Sequence, residues 1–271
     1  AAPSKGVFSV FTYQNCIWQS SVLKNTHVRH GFSTRLGGIS TKAHLASMNT
    51  GFYRGDSDDT VRENIRILCT LAGAPTDVVG APQKHSVTVR RVTRENAGEG
   101  ITKEAPFPCD GFFTTESGIT LIVRVADCAP VLMYGELGGG KVAVAAVHAG
   151  WRGAAAGIAG VAAEKLKAVG AMNIKAAIGP CIHPCCYAVG EDMKEEVAKL
   201  RGADFADRYV SERAGQLYAD IAGMNREILL SSGVQEIDIC PECTACKPYL
   251  YHSHRATGGV RGTMAAVIGI V

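Results

Sequence analysis

The stretch GITLIVRVADCAPVLMYGELGGGKVAVAAVHAGWRG, residues 118–153, decides the fold class, because it holds three apolar runs separated by a polar break and a triple glycine. GITLIVRVA (118–126) reads as a buried strand ending at Asp127 and Cys128, PVLMYG (130–135) as a second short strand after a bend at Pro130, and KVAVAAVHAG (141–150) as a third. The third run leads through Gly150 and Gly153 into an expected helix from Ala154 to Ala168 that stops at Gly170.

Outward from this centre the pattern repeats in kind. Downstream lie an apolar strand, IKAAIG (174–179), a loop rich in Pro and Cys, expected helices near 191–201 and 212–231, and a last strand near 263–271. Upstream, STRLGGIS (33–40) reads as a turn and DSDDTVRENIRILCTLAG (56–73) as a helix entered through Asp or Ser caps and closed by Gly73. Strands that alternate with helices argue for an α/β or α+β fold: a layered sandwich of mixed β-sheets flanked by helices, in one domain over 1–271. No internal repeat or low-complexity tract divides the chain.

Composition removes several function classes. With 46% hydrophobic and 20% charged residues, the 271-residue chain has ample material for a core and is not disordered. Its apolar runs are broken by Arg, Asp or Gly well before the 18 residues that a membrane helix requires, so no membrane partner is expected. The net charge of +3 is dispersed without a basic run, which argues against nucleic acid and leaves small anions as partners. No coiled-coil pattern or contiguous apolar stripe indicates an oligomeric state. Ten cysteines fall largely in two clusters, Cys181, Cys185 and Cys186, and Cys240, Cys243 and Cys246, a pattern closer to a reduced intracellular protein or a metal site than to spread disulfides. The N-terminal AAPSKGVFSVF lacks the charged region and apolar stretch of a secretory signal, so the cytoplasm is the expected location.

Cys128 and His148 stand 20 residues apart at the ends of two expected strands, where side chains of α/β proteins converge on clefts. His85, in APQKHSVTVRRV (81–92), follows a polar turn at a strand entrance. Alone, Cys128 reads first as a small core residue and His85 as a hydrogen-bonded histidine. Together with His148 they form a His, Cys, His set, which suits zinc or copper and leaves a fourth position open for water or substrate. HAGWRGAAAGI (148–158) would expose amides at a helix start, with Arg152 placed to hold a phosphate; the two glycines there serve a tight turn just as well.

ADCAPVLM (126–133), AVHAGWRG (146–153), IGPCIHPCCYAVG (178–190) and STRLGGIS with SMNTGF (47–52) resemble the bacterial laccase-domain, or polyphenol oxidase-like, family, from about Arg29 to the C-terminus. The resemblance implies a metal-containing purine nucleoside enzyme: a phosphorylase of adenosine, inosine, guanosine and methylthioadenosine that also deaminates adenosine, with purine nucleosides and phosphate as partners. It implies a fold like that of cysteine hydrolases, and His85, Cys128 and His148 as ligands of zinc, with copper as the alternative metal. By the same resemblance Arg35, Asn49 and Arg255 match family positions near the pocket. Asp127, beside Cys128, is the candidate general acid or base, Arg35 and Arg152 join it in the catalytic set, and Asn49, Lys84 and Arg255 are the candidate substrate contacts. Asp127 also reads as a carboxylate that bonds a neighbouring amide.

The chain departs from the family pattern near its C-terminus. Arg255 is followed by Ala256 rather than a second arginine, and Gly262-Thr263-Met264 stands where Gly-Arg-Met is usual, with Arg261 available to replace one missing cation. Three other readings compete. Cys128 with His148 as base would make a cysteine hydrolase or deamidase. A copper-dependent polyphenol oxidase would need ligand sets beyond those visible, and a nucleoside-sensing or metal-buffering protein would bind without turnover. CPECTAC (240–246) has the CxxCxxC spacing of an iron–sulfur ligand run, with Cys181, Cys185 or Cys186 as a fourth thiolate, but the usual Cys-Pro is absent and buried thiols are expected instead.

Overall fold

A computed structural model describes residues 11–271; the first ten residues, most of the N-terminal stretch read for targeting, lie outside it. In chain order the strands are β1 (Phe11–Gln14), β2 (Ile17–Ser20), β3 (Val28–Ser33), β4 (Val78–Val79), β5 (Val89–Arg91), β6 (Gly111–Thr114), β7 (Thr120–Val125), β8 (Ala129–Glu136), β9 (Val142–Ala149), β10 (Met172–Ile178), β11 (Ala188–Val189), β12 (Val210–Arg213), β13 (Gln216–Ala219), β14 (Glu236–Ile239) and β15 (Met264–Ile270). The helices are α1 (Asp58–Ala72), α2 (Trp151–Ala156), α3 (Ile158–Ala168), α4 (Glu191–Arg201), α5 (Ala203–Tyr209) and α6 (Ile221–Ser231).

Two six-stranded sheets carry the structure, in the orders β1-β2-β3-β15-β7-β4 and β14-β10-β8-β9-β6-β5, with a three-stranded sheet β11-β13-β12 beside them. Both large sheets are mixed: most pairs are antiparallel, whereas β4 with β7, β5 with β6 and β10 with β14 run parallel. The fold is therefore of the mixed α+β kind.

The three apolar runs of 118–153 are continuous because their strands are covered on both faces. In β7, Leu121 and Val123 pack with Leu132 and Tyr134 of β8 and Val144 and Ala146 of β9 in the core between the sheets. Ile122 points the other way, joining Val267 against Val61, Ile65 and Leu68 of α1. The alternate residues of β8 and β9, Val131, Met133, Ala145 and Val147, meet Ile158, Ala162 and Leu166 of α3 on the outer face of the second sheet. Period-two alternation along each strand thus feeds two cores at once.

α1 has the ends its sequence predicts. The Ser57 hydroxyl accepts from Thr60 N, Asp58 and Asp59 sit in the first turn, and Gly73 closes the helix at φ 67°. Two expectations are corrected. The helix expected over 154–168 is two helices, because Gly157 takes φ 91° and its missing Cβ makes room for the Arg201 guanidinium, whose Nε donates to Ala155 O at 2.6 Å. The helix expected over 212–231 begins only at Ile221. Before it, Ala214 (φ 51°) and Gly215 (φ 76°) turn a hairpin between β12 and β13, the left-handed pair that suits a two-residue turn. Within 81–92 the strand is only β5, Val89–Arg91, so His85 lies in the loop ahead of it and not at the strand entrance.

Candidate metal centre and adjoining cleft

The link between β7 and β8 carries the chain from one large sheet to the other, and Cys128 lies in it, directly before β8. His148 is the penultimate residue of β9, and its Cα faces that of Pro130 across the β8–β9 ladder. Strand register therefore sets two of the three candidate ligands side by side. His85 arrives from the loop between β4 and β5 at φ 61°, a left-handed conformation that ordinary residues rarely hold. Its Nε2 is 3.8 Å from the Cys128 Sγ, its ring centroid is 4.9 Å from that of His148, and one donor atom from each of the three residues lies within 4.8 Å of the others.

Asp110, immediately before β6, organises this arrangement. Its Oδ1 is 2.8 Å from His148 Nδ1 and accepts from His85 N at 2.9 Å; its Oδ2 accepts from Lys84 N, Ser86 N and Ser86 Oγ at 3.1, 2.8 and 2.7 Å. One fully buried carboxylate thus orients one candidate ligand and folds the loop that carries another. Burial alone would raise the Asp110 pKa, but the hydrogen bonds from His148 and Ser86 outweigh it and hold the carboxyl well below the usual range. An ionised Asp110 only accepts, so the His148 proton belongs on Nδ1 and Nε2 is left as the ligand atom.

Burial also disfavours charge on Cys128 and His148, yet their mutual attraction prevails, lowering the thiol and raising the imidazole. The site is thus arranged to stabilise a thiolate. Gly150 completes the wall: a Cβ there would run into the His85 ring and come within 3.2 Å of the Cys128 Sγ. Two imidazoles, a thiolate and a carboxylate behind one imidazole match the donor set and outer support of a zinc-class ion with an open position.

A cleft of about 1050 Å³ opens over the three residues. Arg54, Lys103, Arg124 and Arg261 bring cations to it. Arg124 is tied to the carbonyls of Thr50 and Gly100. Arg261 donates through Nη1 to Gly262 O and Thr263 Oγ1 at 3.1 and 3.2 Å, and its pKa is lowered by burial and then by the charge of Arg54. Arg54 and Lys103 have no side-chain hydrogen bond or ion pair among the described residues. Tyr53, 98% exposed, adds an aromatic face at the rim.

The other residues singled out from the sequence do not line this cleft. Asp127, at φ 85°, accepts from Thr244 Oγ1 at 2.6 Å and from Arg255 N at 2.7 Å, so its carboxylate ties two loops to the turn before Cys128. Arg35 donates from Nε, Nη1 and Nη2 to the carbonyls of Ala46, Pro248 and Ala43. Asn49 is fully buried, with contacts to Gly51, Asp56 and Thr263. Lys84 is exposed and its main chain bonds Asp110; Arg152 is exposed over the Trp151 ring, 4.2 Å from its centroid. The Arg255 guanidinium donates to Ala188 O at 2.6 Å and lies over Tyr187. The expected anion-binding helix start falls on α2, which is only six residues long. Sequence reasoning passed over Asp110, although a lone acid between Cys109 and the apolar GFF of 111–113 was a signal for it.

Among the described residues no helix is long and apolar enough to cross a membrane. The profile of the multi-copper polyphenol oxidoreductase laccase family matches residues 29–271. A purine nucleoside phosphorylase, YlmD, of Geobacillus stearothermophilus is 33% identical over 247 residues, covering 88% of this chain and 89% of the relative. YlmD of Bacillus subtilis, which carries the same enzyme name, is 32% identical over 264 residues, 93% of this chain and 92% of the relative. The crystal structure of the Geobacillus stearothermophilus YlmD superposes with a TM-score of 0.80 at 30% identity, over 97% of this chain and 99% of that one. The chain belongs to the multi-copper polyphenol oxidoreductase laccase family, together with relatives named purine nucleoside phosphorylases.

Proposed function

We propose that the protein is a cytoplasmic, single-domain purine nucleoside phosphorylase whose reaction takes place in the cleft over His85, Cys128 and His148. The observation that carries this reading is the convergence of three ligand side chains, braced by Asp110, on the floor of a cleft whose wall bears the cations Arg54 and Arg261. The names of the relatives support the same activity.

His85, Cys128 and His148 would hold zinc, which when bound supplies Lewis-acid stabilisation of developing negative charge. Arg261 and Arg54 hold phosphate beside the ribose, so that a phosphate oxygen bonds C1 of the sugar while the bond from C1 to the purine nitrogen breaks. The base leaves with the bonding pair and takes up the proton that the attacking hydrogen phosphate gives up, giving free purine and ribose 1-phosphate. Tyr53 offers its ring as a stacking surface for the base. Adenosine, inosine, guanosine and methylthioadenosine share the bond that breaks, which makes all four candidate substrates. Adenosine deamination in the same cleft would replace the amino group at C6 by water oxygen and release ammonia.

Mass-spectrometric product analysis of zinc-loaded protein given adenosine, with and without phosphate, tests this. Adenine and ribose 1-phosphate should form only with phosphate, and inosine would report deamination. Intact adenosine in both samples would overturn the proposal.

A second reading rests on one geometric fact: Cys128, His148 and Asp110 stand in the order nucleophile, base and orienter. It corresponds to a cysteine hydrolase or deamidase on a cysteine-hydrolase-like fold. A trapped acyl adduct on Cys128 would favour it, whereas protection of Cys128 from alkylation by zinc, with nucleoside turnover restored on reloading, would favour the ligand role.

A further inference from the structure

The sequence predicts buried thiols in the cysteine clusters near 181–186 and 240–246, and Cys181, Cys240 and Cys243 are buried. Cys185 and Cys246 are exposed, and Cys186 is half-buried. The sulfurs of Cys185, Cys186, Cys243 and Cys246 all lie within 4.8 Å of one another, two from each cluster. Cys246 Sγ is 3.5 Å from Cys185 Sγ and 3.3 Å from Cys186 Sγ.

The backbone brings them together before any ion is considered. β10 and β14 are parallel neighbours, so the loops that follow them leave the sheet at the same end. Cys240 N bonds Ile178 O at 2.9 Å, Cys181 and Cys243 form a parallel bridge, and Thr244 N bonds Cys181 O at 3.0 Å. The turn at 183–187 closes with Cys186 N and Tyr187 N both donating to His183 O, which carries Cys185 and Cys186 over Cys243 and Cys246. His183 N points at Cys243 Sγ, 3.4 Å away, and an amide donor of this kind stabilises a thiolate.

We propose that Cys185, Cys186, Cys243 and Cys246 bind one zinc ion as a structural four-thiolate site, separate from the His85, Cys128 and His148 centre. Four sulfurs at about 2.3 Å from a tetrahedral ion stand roughly 3.8 Å apart; the two Cys246 spacings, 3.3 and 3.5 Å, fall a few tenths of an ångström below that, and all four sulfurs lie within 4.8 Å of one another. An iron–sulfur cluster places its thiolates on different irons and spreads them further. Cys240, the first cysteine of the CxxCxxC run, lies outside the group and packs in the interior.

The ion would have a definite task. Ile182 N, from the first loop, donates to Asp127 O at 2.9 Å, and Thr244, from the second, donates its hydroxyl to the Asp127 carboxylate. Stapling the two loops braces the left-handed turn at Asp127 that presents Cys128 to the cleft.

Zinc is counted by elemental analysis and non-denaturing mass spectrometry on the full-length His148→Ala chain, reduced and then loaded with zinc. That substitution removes the first centre, so the two sites are scored separately and failure of one proposal leaves the other standing. One zinc per chain is expected, falling to none when Cys186→Ser and Cys246→Ser are added. No zinc in His148→Ala, iron in its place, or an intact mass short by two hydrogens that marks a disulfide would each overturn the site. If the triple variant does not fold, wild-type protein still decides: zinc loading should protect Cys185 and Cys246 from a thiol reagent and a chelator should restore their reaction. Full reactivity of both in the zinc-loaded protein would overturn the proposal.

Discussion

His148 is held twice by Asp110: its Nδ1 lies 2.8 Å from the Asp110 carboxylate, and its main-chain N–H donates to the Asp110 carbonyl at 2.7 Å. Because the same carboxylate accepts from the amides of residues 84–86, one side chain sets both the tautomer of one ligand and the path of the loop bearing another. Asp110→Asn turns one acceptor oxygen into a donor facing donors. Zinc affinity should fall about 10–100-fold, and stability by roughly 1–3 kcal/mol. Chelator competition and urea unfolding measure the two effects, and unchanged affinity would show that Asp110 does not orient the ligand.

Removing a ligand should cost more than removing its support. His85→Ala and His148→Ala should each lower zinc affinity at this centre by more than about 100-fold and reduce phosphorolysis to background. Turnover near the wild-type level in His148→Ala with no zinc at this centre would refute the metal role.

Gly150 has an ordinary φ of −64°, so alanine there tests space alone. The new methyl meets the His85 ring, and crowding of this kind costs about 1–3 kcal/mol. Gly150→Ala should displace His85 and weaken metal binding. Gly138→Ala, where nothing lies within 4 Å, should be silent within about 0.5 kcal/mol. Equal metal titrations for the two variants would contradict the close approach.

Arg261→Met removes a cation from the cleft wall without touching the ligands. The kcat/KM for phosphate should fall at least about tenfold, the worth of a charged hydrogen bond, while zinc stoichiometry stays the same. A loss confined to the nucleoside KM would assign Arg261 to the sugar or base instead.

Acid stability should report two interior histidines. His30 and His252 are buried, and burial pushes their pKa values down to about 4 and about 3; Ser20 N donates to His30 Nε2 and so needs it neutral. Both stay unprotonated in the folded chain at pH 5, whereas in the unfolded chain they bind protons below about pH 6.5. The unfolded state then holds more protons, so stability is present above that pH and is lost as pH falls. Between pH 6 and 5 the metal-free protein should lose about 2 kcal/mol in urea unfolding. A flat profile over that interval would mean that the folded histidines titrate normally.

The amino-acid sequence by itself determined what depends on near neighbours. The apolar runs of 118–153 specify strands, Ser57 and Gly73 specify the ends of α1, and Cys128 and His148 mark strand termini where chemistry collects. The same local reading merged the β12–β13 hairpin into the helix that follows it, because two left-handed residues, Ala214 and Gly215, decided the turn. Only the tertiary structure decided what depends on register and on crossings between sheets. Asp110 reaches His148 because β6 pairs with β9, Arg261 rather than Arg255 lines the cleft, and two pairs of cysteines 60 residues apart meet because β10 and β14 are parallel. Periodicity and turn chemistry act over a few residues, whereas a metal centre is built from side chains whose proximity is set by hydrogen-bonded ladders and by loops that cross between layers.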